Sequence, residues 1–222
     1  MTDENMLDNI IQMWDSIIFI VEGSLITLKY SIISVFFGLI IGTLLAICKT
    51  GKYRALKYFS NFYTSIFRGT PLLIQLSIIY FIVPGLFGIK LTVFVAGVLA
   101  FSLNSGAYVS EIIRAGIEAV DKGQMEAGKA LGIPQYFIMK DIILPQAIRK
   151  ILPSLINELV NMLKESAIIS MLGEADLMRR AQVVAAEKFD YFTPIITAAI
   201  CYYVLVFIFS WLAVRIEKRL AI

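Results

Sequence analysis

The chain has 222 residues, of which 59 % are apolar and 17 % charged, with a formal net charge of +3. Soluble proteins carry roughly 45–50 % apolar and about 25 % charged residues, so disordered, collagen-like and ordinary cytosolic classes are excluded. The near-balanced charge points to no nucleic-acid partner. There is no histidine, which excludes histidine metal sites, Ser-His-Asp hydrolysis and HExxH zinc proteolysis.

The N-terminal stretch to Glu22 carries Asp3, Glu4, Asp8, Asp15 and Glu22 and no Lys or Arg. A secretory signal starts basic, so no cleaved leader is expected. Five stretches are then apolar and long enough for the ~20 residues that cross a bilayer. The first ends at Cys48 and is uncharged from Tyr30. The second covers about 59–83 and is broken at Arg68-Gly69-Thr70-Pro71. The third runs from Leu91 to about Tyr108. The fourth, Ile151 to Leu172, is polar on one side. The fifth runs from Tyr191 to Val214. Cys48 and Cys201 lie inside apolar runs and read as small core residues, not as a disulfide.

Basic residues set the orientation. Lys49, Lys52, Arg54 and Lys57 follow the first span, whereas Lys90 stands alone after the second. Arg114, Lys122, Lys129, Lys140, Arg149 and Lys150 fill the third connection, and Arg215, Lys218 and Arg219 end the chain. The first loop, the third loop and the C-terminus are therefore expected in the cytoplasm and the acidic N-terminus outside. An odd number of spans demands the same. No repeat or linker divides the chain, and 1–222 reads as a single membrane domain.

The 105–150 connection reads as two short helices. Asp121 and Gln124 have capping-box spacing for a helix from Lys122 to Leu131. Gly132 suits a left-handed cap and Pro134 the first turn of the next helix, which is expected to stop near Leu144-Pro145. Leu131, Ile133, Phe137 and Ile138 make an apolar knuckle, either a docking surface or a loop folded back on its own bundle.

Glu126-Ala127-Gly128, then Gly132, then Ile142-Ile143-Leu144-Pro145 resembles the EAA motif of ABC-transporter importer permeases, with Gly128 in place of the third-position Ala. Arg68-Gly69-Thr70-Pro71, Asn104-Ser105-Gly106-Ala107-Tyr108 with Glu111-Ile112-Ile113-Arg114-Ala115-Gly116, and Leu144-Pro145-Gln146-Ala147 are similar to the polar-amino-acid uptake branch, within which glutamine permease subunits are the nearest likeness. The resemblance implies an all-α type I importer transmembrane domain in the bacterial inner membrane and a second permease subunit, expected to be a copy. It also implies two cytoplasmic ATPase subunits and an extracytoplasmic binding protein. Glu126, Gly132, Ile133 and Pro134, in the hairpin at about 120–145, would couple to the ATPase. The permease would hydrolyse nothing and hold no cofactor, ATP and Mg belonging to the partners. Consistently, no GxxxxGK[ST] occurs in the chain.

At about 100° per residue, Ser154, Glu158, Asn161 and Glu165 fall within about 60° of one another, flanked by Asn157 and Lys164. Ionisable groups within a membrane cost about 2.5–3.5 kcal/mol each on insertion scales and face a bundle interior or wet cavity. The stripe is either a substrate path or a structural network. A zwitterionic amino acid needs donors for its carboxylate, for which Arg68 and Thr70 are candidates. It needs acceptors for its ammonium, for which Glu158 and Asn104 are candidates, with Asn161 and Glu165 alongside. Arg68 could instead snorkel or pair with Glu165, and Asn104 could bond a neighbouring helix. Gly38 and Gly42 form a GxxxG that suggests close helix approach. Tyr202, Tyr203, Phe207, Phe209 and Trp211 read as lipid-facing. The readings left open are import of glutamine, of basic amino acids or of glutamate, and, from another class, a proton- or ion-coupled transporter using the Glu158, Lys164 and Glu165 stripe as a relay.

Overall fold

The structure, a computed structural model, describes the backbone of residues 3–220 and the side chains of 11–219. Regular structure among the described residues is entirely helical. Asp3, Glu4 and Asp8, which contribute to the expected outward placement of the N-terminus, lie outside the described side chains.

Helix α1 (Asp3–Thr50) is far longer than the run from Tyr30 to Cys48. At ~1.5 Å per residue it reaches about 72 Å, more than twice a hydrocarbon core of roughly 30 Å. Asp15, Glu22 and Lys29 end the uncharged run but not the helix, because no proline interrupts it. Its first half is braced from outside the bundle by α7 (Leu177–Lys188). Arg180 pairs with Glu22 at 2.9 Å and donates to the Phe19 carbonyl, and Lys188 donates to the Gln12 carbonyl at 2.9 Å. A Cβ on Gly23 would lie 2.7 Å from the Leu177 Cα, so only glycine admits this contact.

Helix α2 (Arg54–Gly69) and helix α3 (Leu72–Phe87) replace the expected second span, and they meet at 104°. Proline disfavours the α conformation in the residue before it. Thr70 is accordingly extended (φ −123°, ψ 145°), and Pro71 caps α3. Helix α4 (Val93–Glu118) starts on Thr92, whose hydroxyl accepts from the Val95 amide.

Helix α5 (Lys122–Ala130) is capped by Asp121 through the Gly123 amide at 2.8 Å. Gly132 takes φ +72°, as its place after the helix requires. The following helix does not stop at Leu144-Pro145. A turn at Gln135–Phe137 passes through a π-helical stretch, Ile138–Ile143, directly into α6 (Leu144–Glu165). The widened turns precede Pro145, where a regular helix would clash with the ring and lack its N–H bond. After α6 come a 3-10 stretch, Ser166–Leu172, then α7 and α8 (Phe192–Leu220).

Among the described residues three helices, α1, α4 and α8, are long and apolar enough to cross a membrane, whereas α2 and α3 reach that length only when taken together across their bend. The expected fourth span, Ile151–Leu172, falls on α6 and the 3-10 stretch after it; α6 is too polar to qualify on hydropathy but packs against α1, α4 and α8. Small residues bring α1 and α4 together. A Cβ on Gly38 would lie 2.7 Å from Ser105 Cβ, and one on Gly42 2.6 Å from Val109 Cβ. Beside this seam Tyr30, Leu72, Leu76, Phe101, Met162 and Ile169 form the central core. Tyr202 belongs to the second core, beside Ile20, Leu177 and Ala198, and does not face lipid as expected. Its hydroxyl lies 3.5 Å from Asp176. Cys48 and Cys201 are free thiols.

Candidate functional site: a polar path beside a broken helix

The α2–α3 break leaves backbone carbonyls without helical donors inside an apolar bundle, where each would be costly. Buried Gln75 answers them. Its Nε2 donates to the Phe67 and Thr70 carbonyls at 2.9 and 3.0 Å and to Thr70 Oγ1 at 2.9 Å. Asn104, from α4, donates to the Phe67 carbonyl at 3.1 Å and to Gln75 Oε1 at 3.0 Å. The Thr70 hydroxyl donates to the Ile66 carbonyl at 2.9 Å. Thr70 and Asn104 are thus engaged in holding the break, although Thr70 remains exposed beside it.

Toward the hairpin end, Glu111 gathers cations from three helices. Lys49 of α1 pairs with Oε1 and also reaches Thr64 Oγ1 at 3.0 Å and Ser110 Oγ at 3.2 Å. Arg114 donates from Nε and Nη2 to Oε2 at 3.0 and 2.8 Å, and its Nη1 reaches Glu118. Arg68 of α2 lies 3.7 Å from Oε2, with its guanidinium 5.5 Å from the Tyr108 ring centroid. Arg68 therefore pairs with Glu111, not Glu165, because the bend carries the end of α2 toward α4. The Lys49 side chain is only 2 % exposed, whereas that of Arg68 is 45 % exposed. Lys49 is a fully paired structural charge, and Arg68 keeps donors for another partner.

Those donors line a cavity of about 520 Å³ bounded by Arg68, Tyr108, Glu111, Arg114, Lys150 and Ser154. That volume is ample for a small polar molecule. From Ser154 the stripe on α6 continues away from the hairpin. Glu158 is buried and accepts a 2.8 Å hydrogen bond from Ser105. Asn157, Asn161, Lys164 and Glu165 are exposed on the surface of the chain.

The sequence alone did not single out Gln75 as a clasp, Lys49 as a buried ion or Lys150 as a cavity residue. Lys49 stands seven residues after Gly42, on the face that meets α4, and Lys150 stands four before Ser154 on the stripe, so helical register carried both signals. The knuckle is divided. Leu131 and Phe137 are exposed and Ile133 is half-buried, while Ile138 is buried against Gly128.

Residues 35–222 match the family model described as the inner membrane component of binding-protein-dependent transport systems. The chain belongs to this family. It is 66 % identical over 217 residues to the putative glutamine transport system permease protein GlnP of Rickettsia conorii, covering 98 % of this chain and all of that one. It is 50 % identical over 202 residues to the arginine transport system permease protein ArtQ of Bacillus subtilis, covering 91 % and 92 %. Among solved structures, a crystal structure of an amino acid ABC transporter with histidines superposes with a TM-score of 0.90 at 42 % identity, over 94 % of this chain and 97 % of that one. A methionine ABC transporter in inward-facing conformations shares the fold at 19 % identity and a TM-score of 0.76, over 91 % and 96 %. This inner membrane component accordingly has the fold of an ABC importer transmembrane domain. It is a transport subunit, and ATP hydrolysis belongs to separate subunits.

Proposed function

We propose that this chain, paired with a second copy of itself in a bacterial inner membrane, lines the passage of an ATP-driven importer whose preferred cargo is glutamine. The observation that carries the proposal is the exposed strip Asn157, Asn161, Lys164 and Glu165 on α6, continuous with the Arg68 cavity. Such a strip is not tolerated against lipid, and a second permease across it would enclose a wet passage.

In this passage Arg68 receives the amino-acid carboxylate and Glu158, with Asn161 and Glu165, receives the ammonium. Thr70 and Asn104 hold the broken backbone beside them. Glu126, Gly132, Ile133 and Pro134, with exposed Leu131, present the hairpin to the ATPase subunit, which supplies ATP and Mg. An extracytoplasmic binding protein delivers the cargo. Glutamine is favoured by the names of relatives at 63–66 % identity.

Basic amino acids are the second reading. They are favoured by the arginine permease at 50 % identity and by Glu158, which no ion pair reaches among the described residues. The test is uptake by the reconstituted complex with labelled glutamine, in competition with each other amino acid. ATP-dependent uptake with glutamine as strongest competitor is expected. Arginine or lysine as strongest competitor would move the assignment to basic cargo. Uptake driven by a proton gradient without the ATPase would overturn it.

A further inference from the structure

Helix α2 is too sharply bent from α3 to continue its direction, and its surfaces are sorted. At about 100° per residue, Phe59, Phe62 and Ile66 fall within about 60° of one another. All three are exposed. Arg54, Lys57 and Asn61 fall within about 60° on a second exposed face roughly opposite. The strip between them is the one the bundle covers, with Ser60 donating to the Leu45 carbonyl and Thr64 accepting from Lys49.

The charge along this part of the chain has one sign. No Asp or Glu occurs between Glu22 and Glu111. Lys52, Arg54 and Lys57 are exposed and take part in none of the ion pairs among the described residues. Tyr53 and Tyr58 are exposed at the same end. An apolar face, an opposing cationic face and aromatic residues at the charged end describe a helix lying in the plane of a membrane surface. The positive-inside distribution places that surface at the cytoplasmic leaflet, which is anionic.

We propose that α2 lies in the cytoplasmic headgroup layer and binds anionic phospholipid through Lys52, Arg54 and Lys57, with Phe59, Phe62 and Ile66 in the acyl region. A second copy seated on the apolar face would leave the cations opposite it unpaired, and one seated on the cations would bring like charges together, so anionic lipid is the occupant that satisfies both faces. The contact has a consequence for the polar path. Thr64 and Phe67, whose oxygens accept from Lys49 and Asn104, sit on α2, so lipid at one end of the helix steadies the Arg68–Pro71 break at the other.

The experiment uses the permease–ATPase complex in nanodiscs, with Phe62→Trp as reporter and the parent complex subtracted. Brominated phosphatidylglycerol should quench the reporter several-fold more than brominated phosphatidylcholine at low salt, and high salt should erase the difference. Replacing Lys52, Arg54 and Lys57 together by Gln should remove the preference, and replacing Lys52 and Lys57 by Arg should keep it. Equal quenching by both lipids would overturn the proposal. So would a Phe62→Cys variant that forms a disulfide between two copies. Quenching is read without transport, so this result stands apart from the assignment of cargo.

Discussion

Ser105 on α4 donates a 2.8 Å hydrogen bond to the Glu158 carboxylate on α6. Ser105 also lies where α1 comes closest to α4, since a Cβ on Gly38 would fall 2.7 Å from its Cβ. A buried carboxylate held by one hydroxyl, with no ion pair among the described residues, has strong acceptor capacity to spare.

Glu158→Gln keeps the shape and removes the charge. A charge-assisted hydrogen bond contributes about 1.5–3 kcal/mol. The substrate concentration for half-maximal transport-linked ATPase activity should therefore rise by about tenfold or more, since 1.4 kcal/mol is a factor of about ten. Ser105→Ala should give a smaller rise. Titration of substrate against ATPase activity checks both, and an unchanged midpoint for Glu158→Gln would assign that residue to structure.

The Lys49–Glu111 contact gives a separate test in stability. Glu111→Ala strands a Lys49 side chain that is 2 % exposed, and breaking a buried pair from one side costs about 3–5 kcal/mol. Lys49→Met should cost less, because Arg114 still neutralises Glu111. The double variant Lys49→Met/Glu111→Leu should recover much of the loss. Thermal unfolding of the purified permease measures all three.

Gly42→Val would place a Cβ 2.6 Å from Val109 Cβ. Overpacking of this kind costs about 1–3 kcal/mol, so a lowered melting temperature is expected. Gly69→Ala meets nothing within 4 Å and should leave the melting temperature unchanged. Equal behaviour of the two variants would contradict the close α1–α4 seam.

Much of this arrangement was legible in the sequence because it depends on local chemistry. Gly132 had to be left-handed after α5, Pro71 had to end α2, and the α6 stripe followed from helical period alone. The path of α1 beyond Tyr30 was not legible. Charged residues report where a helix leaves hydrocarbon, and only the α7 brace shows that it continues. The partner of Arg68 was hidden for a similar reason, since a 104° bend is a tertiary quantity that a broken hydropathy run does not encode. Helix passage through Leu144-Pro145 depended on π-widened turns, for which the sequence carries no simple signature.

Asp176 links stability to pH. It caps α7 through the Arg179 amide at 2.9 Å, and burial pushes its carboxyl up to about 6, against about 3.9 in an unfolded chain. A raised acid favours the folded state fully below the unfolded value, and that contribution is lost as pH rises through the folded value. Stability should fall between about pH 4 and 6 and then level, by roughly 3 kcal/mol for a two-unit shift. Asp176→Asn keeps a capping oxygen and should flatten the dependence and raise the melting temperature at pH 7. A pH series of melting curves on both proteins decides it.

The most direct test of the passage is water access to Asn161. In the assembled complex, with Cys48 and Cys201 replaced by Ala, Asn161→Cys should react with a membrane-impermeant thiol reagent, and ATP or substrate should change the rate. Reaction only with a lipid-soluble maleimide, at a rate indifferent to ATP and substrate, would show that the strip faces lipid and contradict the account.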